Sequence, residues 1–121
     1  MIVVDTSVLV DLLRGAPAAL DWWPGVQSPV ASEVTRTELL QGMRTGERAD
    51  TDDLLDQLRW HPVDGPLATR AGALGRTYRR SHPGIGLADL CVAATADLLG
   101  LGLATMNVRH FPMVAGLQPP Y

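Results

Sequence analysis

The chain has 121 residues, 46% of them apolar, and a formal net charge of −3. That length holds one hydrophobic core and leaves no room for a second, so a single domain over residues 1–121 is expected, and the apolar share excludes a disordered chain. One cysteine, Cys91, excludes an internal disulfide. A reducing, cytoplasmic setting is therefore expected, and no apolar run reaches the ~20 residues of a membrane span.

The residues Ile2, Val3 and Val4 form a β-branched run that predicts a buried strand, which Asp5 ends. No basic stretch precedes that run, so no secretion signal is expected. Val8, Leu9, Leu12 and Leu13 then recur at helical spacing, predicting a helix over residues 7–14 with Gly15 just past its end. Residues 17–25 read as an irregular piece carrying Trp22 and Trp23, and residues 29–31 as a short strand. A helix is expected from 33 to 43, with Ser32 at its N-cap. Further helices are expected over 50–60, 67–80 and 87–99, with a short strand at Val63, a loop at 84–86 and a final strand at 103–105. Strands alternating with helices predict an α/β fold: a three-layer sandwich, with a short parallel sheet flanked by helices. In such sheets ligands bind at the carboxyl ends of the strands, where Asp5 and Asn107 stand.

Three acids then stand out. A carboxylate wedged between a buried strand and an apolar helix, as Asp5 is, costs too much unless something pairs with it. Its bland reading is a helix cap, a task that Thr6 or Ser7 could also perform. Asp89 opens a helix rich in small apolar residues, with Ala93 and Ala96 on its face. It is either a ligand or a first-turn acid complementing the helix dipole. Glu38 is either a ligand or, in Thr35-x-x-Glu38, half of a capping box. Asp50, Asp52, Asp53 and Asp56 read as a solvated face, Asp97 as surface, and Cys91 as a buried small hydrophobe. Carboxylates without a His/Cys ligand set favour a hard cation, Mg2+ with Mn2+ as the alternative, which most often serves phosphoryl chemistry. The net negative charge runs against nucleic-acid binding. Carboxylates gathered around a metal soften that objection, as does a basic complement made wholly of arginine, the better fork for phosphate, although a GC-rich genome accounts for the missing lysines more readily than selection for arginine.

With these residues in place, the chain resembles PIN-domain ribonucleases, specifically the VapC-type toxins of type II toxin–antitoxin systems. Residues 2–9, ending Asp5-Thr6-Ser7-Val8-Leu9, are similar to the family's opening strand with its first acid. Residues 33–39 are similar to the second motif, with Glu38 as the acid, and residues 85–96 to the third, with Asp89. Residues 103–111, containing Thr105-Met106-Asn107-Val108-Arg109-His110-Phe111, are similar to the fourth. The resemblance implies a PIN-like fold and magnesium-dependent endoribonuclease activity. It also implies homodimers and inhibition by a cognate, VapB-like antitoxin. It implies Asp5, Glu38 and Asp89 as catalytic residues, with Asp5 and Asp89 as metal ligands and Glu38 completing the site or polarising the attacking water. Many relatives carry a fourth acid near Asn107; the amide here puts a second metal ion in doubt. Thr6 and Thr105 are auxiliary candidates for orienting water or a phosphate oxygen. Arg76, Arg79 and Arg80, at helical spacing, and Arg109 are candidate RNA contacts, each against the bland reading of a solvated arginine.

The sequence lacks a P-loop, and a receiver domain's lysine is missing because the chain has none. A dehalogenase-type phosphatase needs an acid two residues after the first; Ser7 stands there. The alternative of another class is a catalytically weak PIN-like module that binds RNA or protein.

Overall fold

The computed structural model describes residues 1–121. The first strand of the chain, β1 (Ile2–Val4), lies inside a four-stranded parallel sheet with β2 (Pro29–Ser32), β3 (Arg59–His61) and β4 (Gly102–Ala104), in the spatial order β3-β2-β1-β4. In that register Val3 stands beside Val30 and Leu103, and Val4 beside Ala104. Alternation across a strand sends neighbouring side chains to opposite faces. Accordingly, Val3, Val30 and Leu103 enter one cluster of 14 buried residues, while Val4, Ala31 and Ala104 enter another of 11.

Helices α5 (Gly65–Tyr78) and α6 (Leu87–Leu99) supply most of the first cluster. α6 is buried without interruption from Leu90 to Ala96, and its small side chains let α5 approach closely. A Cβ on Gly75 would stand 3.1 Å from Leu90 Cδ1. The other face is covered by α1 (Thr6–Leu13), α2 (Pro17–Trp22), α3 (Glu33–Gln41) and α4 (Arg48–Asp56). No helix is long and apolar enough to cross a membrane.

The fold class is the one expected, but several boundaries move. The expected helix over 50–60 ends at Asp56, and its last residues turn into β3, so the strand is Arg59–His61 and Val63 lies outside it. Backbone pairing with β2 competes there with helical periodicity, and Trp60 closes the corner by donating to the Leu55 carbonyl at 3.1 Å. The last strand is Gly102–Ala104, which leaves Thr105 just beyond it. The irregular piece is α2 followed by a 3-10 turn at Trp23–Gly25. The helix expected over 67–80 begins two residues earlier, because the Asp64 side chain accepts from the Leu67 N–H.

Candidate functional site

The carboxyl ends of β1 and β4 open on a cleft of about 420 Å3 lined by nine residues, among them Asp5, Thr6, Asp11, Glu38, Asp89 and Asn107. Asp5 holds the N-cap position of α1, yet its side chain makes no cap bond. It is 4% exposed, and its Oδ2 accepts from Ser7 Oγ at 2.9 Å and from Thr105 Oγ1 at 2.7 Å. Ser7 Oγ also accepts from the Met106 N–H at 3.1 Å, and Thr105 Oγ1 from the Asn107 N–H at 3.0 Å. Two hydroxyls thus tie the end of β1 to the end of β4 and fix one oxygen of the buried acid. Neither Thr6 nor Ser7 caps the helix; both turn to acids of the cleft.

Glu38 reaches the cleft from the exposed side of α3, and its Oε1 accepts from Thr6 Oγ1 at 2.6 Å. The capping-box reading is not realised. α3 starts one turn earlier, where Ser32 Oγ accepts from the Val34 N–H, and Thr35 is buried with no partner for its hydroxyl. Asp89, in the first turn of α6, does serve the helix start, since its Oδ2 accepts from the Gly86 N–H at 2.9 Å. The same oxygen lies 3.3 Å from His110 Nδ1. Burial pushes the Asp89 carboxyl above its ordinary range, the Gly86 N–H and His110 pull it back, and the negative charge of Asp5 adds to the rise.

Each of the three acids is therefore held by one oxygen. Asp5 Oδ1, Asp89 Oδ1 and Glu38 Oε2 accept no hydrogen bond from the protein, and none is sealed from solvent. No three carboxylate or imidazole groups converge into a closed ligand cage. The donor set is all oxygen, without thiolate, in an open cleft. It fits a hard, water-retaining cation such as magnesium or manganese, which needs only one or two carboxylates.

Asn107 lines the cleft and Thr105 lies beneath it, fully buried. Arg76, Arg79 and Arg80 are exposed at the end of α5, outside the cleft; Arg109 sits on a 3-10 turn, Val108–His110, beside Asp89. Asp97 pairs with Arg70 at the surface. Three contributors escaped the sequence reading. Ser7 was considered only as a cap. His110 stands in the fourth motif, where no sequence pattern marks it as the neighbour of Asp89. Asp11 lines the cleft and accepts from Tyr121 Oη at 2.6 Å. The spacing Asp5-x-Ser7 was the one local signal available, since a Ser hydroxyl two residues on can reach back to the acid.

The family model described as PIN domain matches residues 2–117. Ribonuclease VapC10 of Mycobacterium tuberculosis is 49% identical over all of this chain and 93% of its own length. Ribonuclease VapC19 of the same species is 42% identical, with both chains covered completely. Among solved structures, a toxin–antitoxin complex from Klebsiella pneumoniae contains a chain that superposes with a TM-score of 0.85 at 26% identity, covering 100% of this chain and 98% of that one.

Proposed function

The chain belongs to the PIN-domain family, on its VapC branch, and from that premise we propose that it is the ribonuclease toxin of a toxin–antitoxin pair, a metal-dependent endoribonuclease acting as one domain. The observation that carries the metal dependence is the free oxygen left on each of three fixed carboxylates in one cleft. The names of the relatives support the substrate, and the toxin–antitoxin complexes among the structural neighbours support an antitoxin partner. Homodimers and a cytoplasmic setting complete the reading.

Asp5 and Asp89 would hold magnesium or manganese through Oδ1, with Glu38 completing the site through its free oxygen or orienting the attacking water. Such an ion, when bound, lowers the pKa of water and screens charge on a phosphate. Ser7 and Thr105 keep Asp5 from rotating, and Thr6 does the same for Glu38. Asn107 contributes an amide oxygen without charge, consistent with one firmly held ion. Arg76, Arg79, Arg80 and Arg109 are the candidate RNA contacts.

The test is cleavage of a total RNA pool by the antitoxin-free protein, with magnesium and with chelator, beside Asp5→Asn. Discrete fragments that need magnesium and vanish in the variant are expected. RNA binding without cleavage in any lane would instead identify a binding module.

A further inference from the structure

The ten arginines of the chain divide evenly. Arg14, Arg36, Arg44, Arg48 and Arg70 lie within ion-pair distance of a carboxylate. Arg59, Arg76, Arg79, Arg80 and Arg109 do not, and all five are exposed. Three of these free cations, Arg76, Arg79 and Arg80, stand at the C-terminal end of α5 and just after it, and Arg109 stands on the 3-10 turn Val108–His110. The segment that follows α5 and the 3-10 turn share a pocket of about 330 Å3 lined by His82, Gly84, Ile85, Arg109 and His110, with no acid in its wall. His82 Nδ1 shares a hydrogen bond with Ser81 Oγ at 2.8 Å, which leaves Nε2 without a protein partner. His110 Nδ1 turns to Asp89, while its Nε2 faces Gly84, 4.0 Å from where a Cβ would stand. One imidazole therefore forms the partition between the acidic cleft and this pocket.

A strand carrying a negative charge on every nucleotide is repelled by a cleft lined with Asp5, Asp11, Glu38 and Asp89. Its approach needs cations beside that cleft that are not already neutralised. We propose that the pocket of His82, Gly84, Arg109 and His110 is a phosphate subsite, holding an RNA phosphodiester next to the one that reaches the acids. This rests on the ribonuclease reading and extends it to a set of residues outside the acidic cleft. Arg109 supplies the guanidinium fork, and His82 adds an N–H donor in the form that carries a proton on Nε2. Glycine at position 84 keeps the floor open.

The test uses a short single-stranded RNA of mixed sequence and fluorescence anisotropy, in chelator so that no strand is cut, over a range of salt. A Cβ at Gly84 would make only an ordinary contact with His110 Nε2, at 4.0 Å, and its φ is not left-handed, so either of two isosteric side chains is accommodated there. Gly84→Asp should weaken binding about tenfold or more, as expected for setting a charge against a charge-assisted phosphate contact, while Gly84→Asn stays within about threefold. Arg109→Ala should weaken binding and reduce the slope of log K against log salt by about 0.7, one phosphate contact on a single strand. Arg59→Ala, on the strand at the opposite edge of the sheet, should change neither. In the cleavage assay the same pocket variants should raise KM and leave kcat in place. Unchanged affinity and slope in both Gly84→Asp and Arg109→Ala, with the unmodified chain binding RNA, would overturn the subsite and leave the ribonuclease reading standing. An unmodified chain that neither binds nor cuts RNA would overturn both.

Discussion

On the strand side of the acidic cleft, Asp5 is 4% exposed and one of its oxygens takes two hydroxyl hydrogen bonds, from residues that are themselves bonded to backbone N–H groups. On the helix side, Glu38 is exposed and held by a single hydroxyl, and Asp89 is half-buried between a backbone N–H and an imidazole. A buried carboxylate without partners is expensive, and the Ser7 and Thr105 hydroxyls are what allow Asp5 to sit where it does. The strand wall is built once, during folding. The helix wall is held by fewer bonds, one hydroxyl on Glu38 and a backbone N–H with an imidazole on Asp89. A buried, doubly bonded acid beside two more exposed ones would suit a hard cation that keeps several of its waters.

Substitutions ordered by expected effect probe this contrast. Asp5→Asn keeps the shape and removes the charge; magnesium-dependent RNA cleavage should fall on the order of a thousandfold, the several kcal/mol that a bound divalent ion contributes. Thr105→Val leaves Asp5 Oδ2 and the Asn107 N–H each short of a partner. Magnesium affinity, read by calorimetry, should drop roughly 10- to 100-fold, and unfolding stability by about 1–3 kcal/mol, with Thr105→Ser recovering most of both. Thr6→Val removes one exposed hydrogen bond on the helix wall, and a loss of cleavage under about tenfold is expected. If Thr6→Val proves as damaging as Thr105→Val, the distinction between the walls fails.

The smallest effect concerns α6 behind the cleft. Burial pushes the Cys91 thiol up. The folded state therefore keeps its proton at a pH where the unfolded chain has lost it. Stability should fall slightly as pH rises through the ordinary thiol range near ~8.5, a slope that Cys91→Ala would remove. Alkylation of the native protein should stay slow across that same range and become fast on unfolding.

The positions of Asp5, Glu38 and Asp89 were legible because each sits on a strongly patterned element: a β-branched strand, a helix after a Ser cap, and a small-residue helix. The sheet core was legible for the same reason. β3 was not, because the helical spacing of Leu54, Leu55 and Leu58 runs straight into it, and only pairing with β2 pulls Arg59–His61 out of the helix. The choice between ligand and capping box for Glu38 stayed open because Thr-x-x-Glu describes sequence alone, whereas the burial of Thr35 is a product of packing. The link from Ser7 to Met106 and that from His110 to Asp89 depend on partners in other elements, which no local pattern records. The pocket beyond His110 likewise needs the end of α5 and the last 3-10 turn to meet.

The bond between Asp5 and Thr105 joins residues 100 positions apart, and β4 is the last strand of the sheet to be made although it pairs with the first. A ribosome adding about 5–20 residues per second needs roughly 5–20 s to pass from one to the other. Through that interval the first strand has no β4 beside it and its terminal acid has no lock. The lock on that acid therefore forms only once residue 105 has been synthesised, a hundred residues after the acid itself.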